Sequence, residues 1–186
     1  MKLNCSNALC LGEIGEDFME VFEAITKRYS VRSYRPDPVE PEKLQKVLEA
    51  ACLAPTACNF QSFRIVVMKT DGHREELKSV YPREWFLDAP YVLAVCSIPS
   101  ECYVRKDGKN YSDVDATIVM DHIILAATAL GLGTCWIAAF DPQAARSVFR
   151  LEDSMTPVVL TPLGYPNDQP PAKRRKPVDE LVTFIE

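Results

Sequence analysis

Arg28, Ser30 and Arg32 stand at alternate positions just after a stretch whose apolar residues recur at helical spacing. If the chain becomes extended here, alternate side chains point the same way, so two guanidinium groups and one hydroxyl can face a single ligand. Guanidinium groups bind carboxylates and phosphates through paired hydrogen bonds, which favours an anionic ligand. The alternative is a solvated basic helix end, where the positive charges complement the helix dipole.

A second cluster, A-P-T-A-C-N-F-Q-S-F at residues 54–63, joins small residues to the amide side chains of Asn59 and Gln61. Small residues allow a flat ring to approach the backbone, and amides supply both donors and acceptors of hydrogen bonds. The cluster therefore favours contact with a planar ligand. The alternative is an ordinary loop that leads from a helix into a strand.

A third cluster combines G-Y-P at residues 164–166 with the basic run K-R-R-K-P at 173–177. By itself, such a run is typical of a solvated basic tail or of a localisation-like signal. G-L-G at 131–133 resembles the start of a dinucleotide-binding glycine motif, but Trp136 stands in place of the third glycine. This segment also follows a predicted helix and precedes a predicted strand, the reverse of the order in a dinucleotide-binding fold.

The chain has 186 residues, of which 47% are hydrophobic and 25% charged, and this suits one domain with a sizeable core. Its net charge of −5 gives no general attraction to nucleic acid or to anionic lipid. No apolar run reaches the roughly 18 residues of a membrane-spanning helix, because Asp121 and His122 interrupt the longest candidate. We expect a cytoplasmic protein without a signal peptide, with residues 1–17 as an N-terminal arm.

Seven cysteines occur without a C-x-x-C pair, and only two histidines accompany them. This spacing lacks the ligand pattern of zinc or iron–sulfur sites, so no metal centre is predicted. We expect reduced thiols that serve as small hydrophobic side chains. Cys96 and Cys135 lie within apolar runs and fit this interpretation best, while His122 is expected to be a hydrogen-bonded core or interface histidine.

The hydrophobic periodicity predicts an alternation of helices and strands. Helices are expected over about residues 17–28, 41–54, 73–80, 113–130 and 141–149, and strands over 63–68, 91–96, 134–137 and 158–163. Residues 100–112 are predicted to form a loop, and the chain after Tyr165 an extended tail. The irregular alternation favours an α+β fold with a central sheet of four or five strands and helices on both faces.

Taken together and in this order, four segments resemble motifs of the FMN-dependent nitroreductase family. They are R-Y-S-V-R at 28–32, P-T-A-C-N-F-Q at 55–61, the long helix with G-T-C-W-I at 115–137, and G-Y-P with K-R-R-K-P at 164–177. The resemblance covers nearly all of the chain from about Met19 onwards. It favours the ligand-binding interpretation of the three clusters and implies a mixed or antiparallel sheet flanked by helices, in an intertwined homodimer.

The resemblance also implies where FMN would bind. Residues 18–186, including the basic tail, would form a single FMN-binding domain, with FMN at the dimer interface. Arg28, Lys173 and Arg175 would hold the phosphate, while Ser30 and Arg32 would meet the pyrimidine edge of the flavin. The other implied contacts are Tyr29, the backbone near Ala138 and Ala139 facing the flavin N5, and, from the second subunit, Pro55, Thr56, Ala57, Asn59 and Gln61.

The implied activity is that of an NAD(P)H-dependent oxidoreductase acting on nitroaromatic, quinone or similar organic acceptors. Ping-pong kinetics are expected, because the nicotinamide donor would leave before the acceptor binds. No catalytic side chain is needed, since the cofactor carries the chemistry, and Arg32 would stabilise negative charge on the reduced ring. Two alternatives are a flavin-binding protein without turnover, such as a flavin reservoir or redox sensor, and a specialised relative that consumes or rearranges one metabolite.

Two features depart from longer members of the family. Pro82 and Arg83 stand where those members often place an asparagine before the second strand. The chain is also short between residues 96 and 115, where longer members carry helices that cover the flavin. The resemblance therefore implies a more open pocket, walled by Tyr103, Tyr111 or Trp85.

Overall fold

The computed structural model describes residues 19–185, so the predicted arm over residues 1–17 lies outside it. Its helices are α1 (Val21–Lys27), α2 (Pro41–Cys52), α3 (Arg74–Val80), α4 (Glu84–Asp88), α5 (Ser112–Ala129), α6 (Pro142–Val148) and α7 (Val178–Leu181). Its strands are β1 (Phe63–Lys69), β2 (Tyr91–Ser97), β3 (Gly133–Thr134) and β4 (Thr156–Gly164). Most of the predicted elements are therefore present within a few residues of their expected limits.

The four strands form one sheet in the order β1-β2-β4-β3, and all neighbours are antiparallel. Along β2, Leu93 and Val95 face one hydrophobic cluster, whereas Val92 and Ala94 face a second one. Residues of α2 and α5 complete the first cluster, and residues of α3, α4 and α6 complete the second. The predicted α+β fold with helices on both faces of the sheet is confirmed.

Helix α5 supplies the largest helical share of the core. Its buried side chains are Ser112, Asp115, Ala116, Val119, Met120, Ile123, Ile124 and Ala127. Further apolar residues lie outside this buried set, among them the exposed Val114. The half-buried His122 lies with its Nδ1 3.1 Å from the carbonyl oxygen of Ile118, so the predicted hydrogen bond is present. Across residues 19–185, none of the helices is long and apolar enough to cross a bilayer.

Two predicted boundaries are wrong. A continuous first helix from Asp17 is contradicted because Met19 and Glu20 are not helical, although Asp17 itself lies outside the described residues. Strand β3 is shorter than predicted, because the Cys135 N–H donates to the Thr161 hydroxyl at 3.0 Å instead of to a backbone carbonyl of β4. The ladder is interrupted there and resumes in an isolated bridge farther along the same segment.

The remaining differences concern short elements. Helix α4 was not predicted, because its five residues lie between Pro82 and Pro90 and are too few to show a helical period. The predicted loop over residues 100–112 contains a small hairpin, in which Val104 pairs with Asn110. The tail is extended as predicted except for α7, which buries no residue.

Large apolar side chains at both ends of the described chain are exposed to solvent. On α1, Phe22 is 79% exposed and Ile25 is 50% exposed, although both belong to the apolar stripe that predicted the helix. In the tail, Phe184 and Ile185 are 84% and 96% exposed.

Candidate functional site

The segment over residues 28–35 is extended, which is the condition under which Arg28, Ser30 and Arg32 can share one face. On one side it meets β3, where Ser30 forms a parallel bridge with Thr134 and the Val31 N–H donates to the Thr134 carbonyl at 2.9 Å. On the other side it meets the chain that leaves β4, through an antiparallel bridge between residues 34 and 166. Three stretches that are distant in sequence therefore lie side by side.

Gly133 allows the close approach of this segment to β3. A Cβ atom at residue 133 would lie only 2.7 Å from Cγ2 of Val31, whose side chain is 1% exposed. Contacts that short do not occur between real side chains, so any larger residue must displace Val31. The glycine therefore determines the position of Ser30 and Arg32 on either side of Val31.

Three cations converge at the end of α1. Desolvation lowers the pKa of Lys173, and the nearby positive charges of Arg28 and Arg175 lower it further. The Lys173 Nζ also donates to the carbonyl oxygen of Thr26 in the last turn of α1. Within residues 19–185, no carboxylate forms an ion pair with Arg28, Lys173 or Arg175.

Mutually repelling cations without a carboxylate partner favour an anionic ligand between them. A phosphate monoester carries about −1.5 to −2 charges at neutral pH and offers several acceptor oxygens. The donor set of Arg28, Lys173 and Arg175 therefore fits the phosphate group that the sequence analysis assigned to these residues.

The thiol of Cys135 lies beside the same segment. Burial raises the pKa of this thiol, whereas the charges of Arg32 and Arg28 and a hydrogen bond with Ser30 act in the opposite direction. Cys135 and Cys96 are 4% and 0% exposed, which confirms their prediction as buried residues. The thiol also shows that Arg28, Ser30 and Arg32 lie close enough together to act on one group.

A cavity of about 180 Å³ opens between the extended segment and the start of β3. Its lining includes Arg28, Tyr29, Gly133 and Thr134. Typical ligand pockets have volumes of roughly 300–1,000 Å³. Ser30, Arg32, Lys173 and Arg175 are not among its described lining residues, so the cavity overlaps the predicted cofactor site only at Arg28 and Tyr29.

Ala138 and Ala139 follow the strand-like segment that begins at β3. Both residues are exposed. Among the described residues, neither backbone N–H donates a hydrogen bond, so both donors are free for a ligand. This is compatible with the predicted backbone contact to the cofactor ring.

The second cluster forms a strained loop. Cys58, Asn59 and Gln61 all have left-handed backbones, with φ values of 53°, 56° and 53°. Residues other than glycine rarely adopt this region, and such strain persists only where surrounding contacts hold it. Asn59 and Gln61 are exposed, as expected of ligand-binding residues.

Two side-chain acceptors hold this loop. The Ala57 N–H donates to Oδ1 of Asp115 at 3.0 Å, and the Gln61 N–H donates to the Thr56 hydroxyl at 3.0 Å. Asp115 is 2% exposed, and its Oδ2 has no hydrogen-bond partner in the part of the chain that the structure describes. The loop is therefore held in one geometry by the first turn of α5.

The two groups of predicted residues are not brought together by one chain. The structure unites residues 28–32, the start of β3 and the tail, whereas the loop over residues 55–61 is held by α5. Within residues 19–185, no hydrogen bond or ion pair joins this loop to Arg28, Arg32 or the basic tail. The loop lies at the first turn of α5, whereas residues 28–32 lie against β3, which follows the other end of that helix. The predicted site residues therefore fall into two separate groups.

The three aromatic residues predicted to wall the pocket are also divided between these two groups. Trp85 packs with Val31 and Tyr34 next to the first half of the site. Tyr103 and Tyr111 form a ring pair with centroids 6.0 Å apart in the hairpin that follows β2. The segment that leads from β2 to this hairpin starts beside the loop over residues 55–61, because the Ile98 N–H donates to the Ser62 carbonyl at 2.9 Å.

The profile described as "Nitroreductase family" matches residues 25–88 and 73–165 of the chain. The chain belongs to the nitroreductase family. A crystal structure of a nitroreductase family protein from Clostridium difficile 630 is 36% identical, with a TM-score of 0.82, and the match covers 89% of this chain and 98% of that one.

Two curated relatives have more specific names. A Thermus thermophilus protein named "NADH dehydrogenase" is 26% identical over 87% of this chain and 94% of its own length. A Bacillus subtilis protein named "FMN reductase [NAD(P)H]" is 26% identical over 87% of this chain and 72% of its own length.

Sequence reasoning missed Asp168 in this nitroreductase-family chain. Its carboxylate accepts the Arg32 N–H at 2.8 Å through Oδ2 and the Tyr29 hydroxyl at 3.0 Å through Oδ1. The contact spans more than 130 positions of the chain, so no local pattern could have indicated it. The only available signal was a carboxylate close to the basic run of the tail.

We expect the Gly133→Ala variant of this family member to be less stable by about 1–3 kcal/mol, the usual cost of an added methyl group in a packed core. Urea unfolding measures this free energy. The matched double variant Gly133→Ala/Val31→Ala removes the methyl groups that the new Cβ would meet. If the loss of unfolding free energy in the double variant equals the sum of the losses in the two single variants, the close contact between residues 31 and 133 does not cause the destabilisation.

Proposed function

We propose that this chain is an FMN-dependent oxidoreductase that uses NAD(P)H to reduce nitroaromatic, quinone or similar organic acceptors. The observation that carries the proposal is the convergence of Arg28, Lys173 and Arg175 without a carboxylate partner among the described residues. Family membership and the names of the relatives from Bacillus subtilis and Thermus thermophilus support the flavin and the nicotinamide donor.

The residues of this chain would bind and orient the cofactor. Arg28, Lys173 and Arg175 would hold the phosphate, and Ser30 and Arg32 would lie at the pyrimidine edge of the ring. The free N–H groups near residue 138 would face N5. When bound, FMN would supply the capacity to accept a hydride from NAD(P)H and to release electrons to the acceptor, which is why the protein needs no nucleophile or general base.

A second copy of the chain would complete each site. The loop over residues 55–61 is largely exposed and is anchored to the first turn of α5, away from β3 and residues 28–32 of its own chain. In a twofold dimer, the loop of each chain can contact the cationic half of the other chain, which gives two equivalent sites. The exposed apolar side chains of α1 and of the tail are suitable to bury in such a contact.

An anaerobic spectrum tests the proposed activity. Protein supplied with FMN and separated from free flavin should be yellow, and its visible absorbance should fall on addition of NADH or NADPH. Adding a quinone should then restore the absorbance. A protein that remains colourless contradicts flavin binding. A yellow protein that dithionite bleaches but neither nicotinamide does would favour a flavin reservoir or sensor instead.

Alkylation of Cys58 tests the position of the strained loop. Cys58 is exposed, so N-ethylmaleimide should modify it in the flavin-free protein. FMN should slow this modification at least several-fold if the loop lies against the cofactor. Cys96 is the internal control, because burial raises the pKa of its thiol to about 11 and keeps it unreactive with or without FMN. Mass spectrometry of peptides measures both sites, and equal labelling of Cys58 in the two samples would contradict the assignment.

A further inference from the structure

Asp168 lies where the tail leaves the sheet and begins to follow the first half of the site. The chain after β4 runs antiparallel to residues 32–35, with the Arg35 N–H donating to Tyr165 and the Asn167 N–H donating to Ser33, both at 2.9 Å. At Arg32 the pattern changes, because the acceptor of the backbone N–H is a side-chain carboxylate instead of a backbone carbonyl. The Arg32 N–H donates to Oδ2 of Asp168 at 2.8 Å.

A second donor holds the other oxygen of this carboxylate. The Tyr29 hydroxyl donates to Oδ1 of Asp168 at 3.0 Å and also lies 2.9 Å from the Asp168 carbonyl oxygen. Burial, together with the hydrogen bond to Asp168 and the negative charge of that carboxylate, raises the pKa of Tyr29 to about 12. Tyr29 therefore remains a protonated donor throughout the neutral pH range.

The distance along the chain from Asp168 to the cations of the tail is short. Four residues lie between Asp168 and Lys173, and they include Pro170 and Pro171, whose rings fix φ. The five steps from Asp168 to Lys173 span at most about 17 Å. Fixing Asp168 beside Arg32 therefore keeps Lys173 within reach of Arg28, and in the structure Arg28 and Arg175 both act on Lys173.

We propose that Asp168 is a positioning residue that fastens the tail to the segment over residues 28–32, so that the cations of the two meet at one phosphate. This inference rests on the proposed function, because it takes the phosphate to be that of FMN. Asp168 acts through its hydrogen bonds to the backbone of Arg32 and to Tyr29. It thereby determines how strongly the protein distinguishes FMN from riboflavin, the same ring system without the phosphate.

Titration of the flavin-free protein with FMN and with riboflavin tests this role. In the Asp168→Ala variant, FMN affinity should fall about 10- to 100-fold, the range that corresponds to one hydrogen bond to a charged group. Riboflavin affinity should change less than about 3-fold. Asp168→Asn should lie between the wild type and Asp168→Ala, because its amide oxygen can still accept the Arg32 N–H. Asp179→Ala is the matched control, since it removes a carboxylate from the same exposed tail.

The outcomes separate this inference from the proposed function. Equal losses for FMN and riboflavin would show a general structural role and overturn the inference, and so would unchanged FMN affinity. If the wild-type protein binds neither flavin, the proposed function fails together with the inference. Amide exchange in the flavin-free protein adds a check that needs no cofactor. The Arg32 amide should exchange faster in Asp168→Ala than in the wild type, and unchanged exchange would contradict the fastening.

Discussion

In the Arg28→Ala/Arg175→Ala variant, FMN is expected to bind about 10²- to 10⁴-fold more weakly than in the wild-type protein. Each substitution removes a cation from the group that surrounds the proposed phosphate position. A hydrogen bond to a charged group contributes about 1.5–3 kcal/mol, and two of them correspond to this range of affinity. Quenching of FMN fluorescence on titration with flavin-free protein measures the change.

Arg174→Ala is the matched control for this prediction. It removes the same charge from the same exposed stretch of the tail, but Arg174 is not among the cations that lower the pKa of Lys173. Its effect on FMN affinity should be less than about 3-fold, because an exposed charge without a specific partner contributes little. If the double variant retains normal FMN affinity, or if Arg174→Ala weakens binding equally, the phosphate assignment is wrong.

The Phe22→Asp/Phe184→Asp variant is expected to sediment as a monomer under conditions in which the wild-type protein is a dimer. Phe22 and Phe184 are 79% and 84% exposed in the isolated chain, so the substitutions should remove little packing within it. Burial of each phenylalanine contributes roughly 1.5–3 kcal/mol, and a twofold dimer contains four of these side chains. Their replacement by carboxylates should therefore raise the dimer dissociation constant by at least about 10⁴-fold.

The same variant should also lose FMN, because separated chains present only half sites. Lys78→Asp on α3 provides the control, since it introduces an acid on a helix that carries none of the exposed large apolar residues. This control should remain a dimer with normal FMN affinity. A wild-type monomer that binds FMN tightly, or a dimer that survives both phenylalanine substitutions, would contradict the proposed contact.

The fold could be predicted largely because its longest elements have strong patterns. The run over residues 91–96 is apolar throughout and becomes a central strand buried on both faces. The helix that contains Ile123 is apolar around most of its circumference and lies in the core. The weak predictions concern short elements, since α4 has only five residues and β3 is interrupted by the contact between Cys135 and Thr161.

The residues of the cationic half could be predicted from their own spacing, whereas those of the loop could not. The alternation of Arg28, Ser30 and Arg32 indicated a common face, and in the structure all three side chains act to lower the pKa of the Cys135 thiol, which burial raises. The loop with Asn59 was assigned through family resemblance, and neither its strained backbone nor its support by α5 has a local sequence pattern. Asp168 was missed for the same reason, because its hydrogen-bond partners are remote in the chain.

In the proposed dimer, each FMN site takes its cationic half from one chain and its loop from the other. Mixed dimers test it, with Arg28→Ala/Arg175→Ala in one chain, Asn59→Ala/Gln61→Ala in the other, and a different affinity tag on each. Each double variant alone should bind FMN weakly. A mixed dimer combines the intact cationic half of one chain with the intact loop of the other, so one FMN per dimer should bind with near wild-type affinity. Absence of tight binding in mixed dimers that are properly folded would contradict the claim.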